Sequence, residues 1–432
     1  MKPQIIKASL YSLLAMTILF DSACTKDYTN PSAVPETQAF SSPQAMTGAA
    51  IGLQRLYTAG RGSSLYNKIA LDGLLTNQLV VLNQGNTAEY QLQQGGGSVD
   101  GTNTILGGLW TTSNKIIFDA DRILTSAASL GDKNYASGLI GYTTIFKALA
   151  LGDLAMFWEK VPASTGKNVN FVDRVEGFNK AIAAIDAALA AINANAMSAS
   201  FLNTLPAGID IVNTLNALKA RYSLFIGNYP QALAAANAVD LTKTSSFNFS
   251  TVNLNPIFET ATSTNNVYAV MDPAILGLPA GLQPDPADKR LPFYTTTTYA
   301  SKIAGFGATA TTGFPIYLPG EILLIKAEVL ARQGDLQNAL DTLNKVVTKT
   351  PGSDPFGVGA SLPPIAGPLT QAELLDQIYK QRSIELFMSG LRLEDMRGFG
   401  RPDTEKKRNF LPYPFLERDN NPNLAGIPDP PF

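Results

Sequence analysis

The stretch IKAEVLARQGDLQNALDTLNKV, residues 325–346, decides the fold class because the chain holds a second version of it. The counterpart is LKARYSLFIGNYPQALAAANAV, residues 218–239. Ala327, Gly334, Leu336 and Ala339 answer to Ala220, Gly227, Tyr229 and Ala232 at one constant offset. Each copy reads as helix, tight turn, helix. The first alanine is small, so a paired helix can approach. The glycine ends the first helix in the left-handed region that side chains disfavour. The larger residue two places on fills the corner, and the second alanine again permits close packing.

Alanine and glycine at these spacings are similar to the tetratricopeptide (TPR) pattern. The neighbouring segments are helical too. Ser42 and Pro43 suit a helix start, and the run from there reaches about Ala59. A second run extends from about Lys68 to Val81, a third over 109–130, and a fourth over 135–158, closed by EKVP at Pro162. In 172–195, Val175, Phe178, Ile182, Ile185, Leu189 and Ile192 step by three and four, which is one stripe facing a core. Trp110 and Trp158 fall on helices and are assigned to the core. Three segments lack helical period. Residues 91–104 are Gly-rich and read as a flexible loop. Residues 241–320 are rich in Thr, Asn, Pro and Gly but also in aromatics, which argues against disorder. Residues 349–368 form another Pro/Gly loop. The expected fold is mostly α: TPR-like hairpins forming a scaffold, with long irregular loops, in one domain over 44–432.

Composition narrows the chemistry. Apolar residues at 45% and charged residues at 16% describe a globular chain. The net charge is −2 and no basic run is present, so a nucleic-acid partner is not expected. The chain has no histidine, which removes Ser-His-Asp triads, Cys-His pairs and most zinc sites. Carboxylate-only catalysis, or none, is left.

The N-terminus begins MKPQIIKASLYSLLAMTILFDSAC. Two lysines precede a short apolar run, and small residues precede Cys24, the single cysteine. That is the layout of a secretory signal over 1–23, cut before a cysteine that becomes lipid-bearing, with 24–43 as a polar tether. Asp21 stands where such signals usually carry Leu.

The last long segment is TQAELLDQIYKQRSIELFMSGLRLEDMRGFGRP, residues 370–402. Thr370 and Glu373 form a capping box. Arg382 and Glu385 fall on the apolar face, Gly390 breaks the helix, and Arg392, Asp395 and Arg397 follow. Charges on an apolar stripe need partners. Arg382, Glu385, Arg392 and Asp395 are therefore read as a structural charge network at the chain reversal. The alternative is a hydrolytic pair of Glu385 with Asp395 or Glu394. A carboxylate beside an arginine has a lowered pKa and makes a poor general acid, which favours the structural reading.

This segment resembles the SusD/RagB family hallmark I-x-x-E-R-x-x-E-L-x-x-E-G-x-R-x-x-D-x-R-R. Ile378, Arg382, Glu385, Leu386, Gly390, Arg392, Asp395 and Arg397 are in register, whereas Gln381, Ser389 and Gly398 depart from it. EILLIKAEVLARQG (321–334), PYPFLERDNNPNL (412–424) and CTKDYTNPS (24–32) are similar to further motifs of the family. The resemblance implies a palmitate-bearing lipoprotein of the outer membrane in Bacteroidota, surface-exposed and not an enzyme. It implies capture of an oligosaccharide, in some members a peptide, for a SusC-like TonB-dependent barrel. Lys26, Asp27 and Tyr28 resemble the charged export tag of surface lipoproteins. Sugar recognition calls for flat aromatic faces with amides and carboxylates. The expected ligand residues are Asn83, Gln84 and Tyr90 from the early loop, and Tyr268, Asp272, Tyr294 and Tyr299 from the insertion. No cofactor is expected. Asp285 and Asp288 in DPADKR are oxygen donors of the type calcium takes, but they are few and sit beside Lys289 and Arg290.

Overall fold

The computed structural model describes residue 40 and residues 42–431. The signal, Cys24 and the tether up to Ala39 therefore lie outside the described residues, as does the export-tag resemblance at Lys26 to Tyr28. Ser42 caps the first helix, α1 (Pro43–Thr58), by accepting the Ala45 N–H at 3.2 Å. The run expected from Lys68 to Val81 is two elements: α2 (Ser64–Leu75) and the strand β1 (Leu79–Val81). The expected loop over 91–104 starts late, because α3 (Thr87–Gln94) continues into it until Gly95. Next come α4 (Thr104–Ala128), α5 (Lys133–Phe157), the hairpin β2 (Lys160–Pro162) and β3 (Phe171–Asp173), and α6 (Arg174–Ala194). The α6 stripe begins one turn later than expected. Phe178, Ile182 and Ile185 are buried, but Val175 is exposed.

The repeated stretches form the two expected hairpins. The first is α7 (Ile211–Phe225) with α8 (Tyr229–Asn237). The insertion contributes the short strands β4 (Ser246–Phe247), β5 (Tyr268–Val270) and β6 (Phe314–Pro315). The second hairpin is α9 (Pro319–Arg332) with α10 (Leu336–Val347). The chain then closes with α11 (Gln371–Glu385) and α12 (Arg392–Gly398) among its last elements. Gly227 and Gly334 have φ of 74° and 85°, the left-handed values the motif requires. Ala220, Ala232, Ala327 and Ala339 are all fully buried.

Consecutive helices pack on one another from α4 to α10, and α11 packs on α9 and α10. One apolar core runs from α1 through α6 and into the insertion. A second lies between α7, α8 and α9, and a third between α9, α10 and α11. α9 thus buries two faces: Ile322, Ile325 and Val329 on one, Leu324, Ala327 and Ala331 on the other. α5 is apolar and long enough to cross a membrane, yet it is wrapped by α1, α4, α6 and α7. Trp158 is fully buried and its indole N–H donates to the Pro412 carbonyl at 2.9 Å. Trp110 is also core, against Trp158 at 4.9 Å between ring centroids. The insertion is no loose appendage: Phe247, Tyr268, Tyr294, Phe314 and Tyr317 are all buried.

Candidate functional site

The C-terminal charge cluster is buried, as its placement on an apolar stripe requires, but its pairings differ from those expected. Arg382 donates to Asp395 Oδ1 at 2.6 Å, with Glu328 at 4.0 Å on its other side. Glu385 does not pair within the motif. It accepts from Arg290 at 3.1 Å and from Lys349 at 2.6 Å, residues of the insertion and of the loop after α10. Arg290 also grips both oxygens of Asp288, and its Nη2 donates to the Gln381 side-chain oxygen at 2.5 Å. Asp354 completes the group through Lys349. Two cations there already face three carboxylates, so the amide of Gln381 supplies an acceptor without a fourth buried negative charge. Asp288, with both oxygens on Arg290, is withdrawn from any calcium role. Among the described residues no group of three or more His, Cys, Asp or Glu could hold a metal ion.

Arg392, placed in the network by the sequence, makes no carboxylate pair among the described residues. Its guanidinium lies over the Tyr379 ring, 5.5 Å from the centroid. Its backbone N–H and that of Leu393 donate instead to Asp72 at 3.2 and 2.7 Å, which ties α12 to α2. No sequence signal marked Asp72 for this role.

The proposed hydrolytic pair has little to act with. Glu394 sits between Arg174 and Arg397, each at 2.5 Å. Burial, with Glu328 and Glu321 nearby, outweighs Arg382 and pushes the Asp395 carboxyl up to about 6, the reverse of the expected lowering. The cavity lined by Asp395, Glu394 and Glu328 is about 130 Å³, below the roughly 300 Å³ at which ligand clefts begin.

The expected ligand residues divide into three groups. Asn83, Gln84 and Tyr90 share one edge. β1 pairs antiparallel with β5, Val81 opposite Tyr268, so the loop leaving β1 lies beside the segment entering β5. Leu82 N–H donates to the Val267 carbonyl at 3.0 Å, and Asn86 Nδ2 to the Asn266 carbonyl at 3.3 Å. Asn83 and Gln84 are exposed there, Asn266 is exposed across from them, and Tyr90 is half-buried on α3. Asn86 and Asn265 add amides that the sequence reading did not single out. Asn265 is at φ 53° and its buried side-chain oxygen has no hydrogen-bond partner. Arg61, half exposed, borders the edge through Glu89 at 2.5 Å and Asn86 at 3.4 Å.

The second group is removed from solvent. Tyr268 is fully buried and stacked on Tyr66 at 6.2 Å. Tyr294 is buried among Phe293, Phe306 and Phe387, and its hydroxyl donates to the Glu385 carbonyl at 2.5 Å. Both rings pack the insertion onto the scaffold and present no face to a ligand. The third group lies at the other end of the strand pair. Val270, opposite Leu79, donates its N–H to the carbonyl of Ser301, beside the exposed Tyr299. Asp272 follows, half-buried, lining a groove of about 490 Å³.

The SusD family model matches residues 294–429. No curated protein matches the chain. Solved structures do. A SusD superfamily protein from Parabacteroides distasonis is 14% identical with a TM-score of 0.67, covering 90% of this chain and 98% of its own. One from Bacteroides fragilis is 16% identical with a TM-score of 0.66, covering 89% and 99%. A SusD-like carbohydrate binding protein from Bacteroides fragilis is 15% identical with a TM-score of 0.62, covering 90% and 100%. The SusD family model thus matches residues 294–429, and the chain shares its fold with SusD-superfamily structures along about nine-tenths of its length.

Proposed function

We propose that the protein is a lipid-anchored, surface-exposed component of the outer membrane that captures an oligosaccharide and hands it, uncleaved, to a SusC-like TonB-dependent transporter. The observation that carries the reading is the β1–β5 pairing, which sets the exposed amides of Asn83 and Gln84 beside that of Asn266, with the half-buried Asn86 between the two loops. Side-chain amides offer a donor and an acceptor each, the complement of a sugar hydroxyl. They stand on a strand pair buried at Leu79, Tyr268 and Val270, so the ligand meets a positioned surface. The fold shared with a SusD-like carbohydrate binding protein supports the same ligand class. Asn83, Gln84 and Tyr90 remain the proposed contacts, joined by Asn86, Asn266 and Arg61, with Asp272 and Tyr299 at the far end of the strand pair. Capture without cleavage is supported by Glu385 and Glu394, each held between two cations. The lipid is carried by Cys24. Screening the purified protein against soluble oligosaccharides, with product analysis, tests the proposal: binding without cleavage supports it, and no binding to any glycan, or turnover of one, refutes it. Gentle detergent extraction should also recover a large barrel protein with it.

A further inference from the structure

A second groove, of about 410 Å³, is lined by α4, α5, α6 and the turn that leaves β2. Its size falls among ligand clefts, which begin at roughly 300 Å³. Ile117 of α4, Leu151 and Leu154 of α5 and Val161 of β2 give it an apolar floor, and all four are buried. Lys180 of α6 lines it as well, and its ammonium donates to the Ala163 carbonyl, another lining residue, at 2.5 Å. Lys180 is half-buried, so its ammonium is open to the groove and not sealed beneath other side chains. An ammonium has three donors, and here one of them meets a neutral carbonyl. Lys180 has no carboxylate partner among the described residues: Glu176, one turn earlier on α6, accepts from Asn179 at 3.2 Å instead. Lys147 is different. It is paired at 2.6 Å with Asp121, the one acid in the lining. An apolar floor thus adjoins one positive charge that no acid offsets.

We propose that this groove binds an amphipathic monocarboxylate, with its carboxylate on Lys180 and its apolar body along Ile117, Leu151, Leu154 and Val161. A carboxylate supplies the acceptors that the ammonium lacks, and such charge-assisted bonds are stronger than the one to a carbonyl. The hydroxyls of Ser164 and Thr165, on the same turn as Ala163, offer further donors to it. Asp121 does not repel it, because Lys147 neutralises that side chain. The site goes beyond the sugar-capture reading and is independent of it, since none of its lining residues belongs to the β1–β5 edge. An alkanoate and an aryl carboxylate both carry the required chemistry.

Titration calorimetry on the full chain with octanoate, phenylacetate and octylamine separates the sources. Binding of octanoate or of phenylacetate, with octylamine at least tenfold weaker, supports the proposal and says which source applies. Octylamine has the tail of octanoate and the opposite charge, so it reports on the tail alone. Lys180→Gln is expected to weaken the carboxylate about tenfold, since a neutral amide replaces a charged donor. Should that variant not fold, Ala183→Trp tests the same claim from the exposed rim by filling the groove, and should abolish binding. The proposal is overturned if neither carboxylate binds, if octylamine binds equally well, or if affinity is unchanged in Lys180→Gln or in Ala183→Trp.

Discussion

Arg382 is fully buried and is the counter-ion of Asp395. Removing it leaves a carboxylate in the interior with no compensating charge. Arg382→Leu should therefore cost roughly 3–5 kcal/mol in chemical denaturation. Asp395 itself gives a pH signature. Its carboxyl is pushed up to about 6 in the folded state, above its ordinary value of 3.8. The folded protein then holds a proton that the unfolded chain releases between those values. The corresponding stability, on the order of 2–3 kcal/mol, is present below about 4 and lost as pH rises through 6. Denaturation of the wild type and of Asp395→Asn at pH 4 and pH 7 checks this: the variant should lose that part of the pH dependence. At this scale the sequence told that Arg382 and Glu385 would be buried, because they share a face with Leu374 and Ile378, and that Asp395, beyond the break at Gly390, would join their charge network. It could not tell that Glu385 takes Arg290 and Lys349, since those partners arrive from an irregular loop with no period to follow.

The helical hairpins were legible because each device is local. Gly334 sits at φ 85° with open space where a methyl would be added, so Gly334→Ala isolates backbone strain from packing. It should cost roughly 1–2 kcal/mol in thermal or chemical unfolding. Thr370 accepts the Glu373 N–H at 3.3 Å, while Glu373 accepts the Thr370 N–H at 2.8 Å, completing the capping box expected from the sequence. Thr370→Ala should lower stability by about 1 kcal/mol. The strands were not legible for the opposite reason. β1 and β5 have three residues each, too few for an alternation, and the loops they join hold residues 180 positions apart in sequence. Lys68 to Val81 consequently reads as one helix, although the chain turns at Asn77, at φ 60°, and leaves as a strand.

For the whole molecule, the scaffold and the candidate site follow different rules. The scaffold buries its apolar stripes hairpin by hairpin, so period and small residues describe it. The site rests on which loop ends meet, and sequence composition says only that aromatics and amides are available. The insertion's aromatics largely went to the core: Tyr268 and Tyr294 hold the loops down, and the amides are left at the edge. The account's central claim is that this edge captures a glycan without transforming it. The direct measurement is calorimetry of the best glycan found by screening, on the wild type and on the Asn83→Ala/Gln84→Ala variant, with products analysed in the same samples. The account predicts intact glycan throughout and at least a tenfold loss of affinity in a variant of unchanged stability. Equal affinity in the variant, or cleaved glycan in either sample, would contradict it.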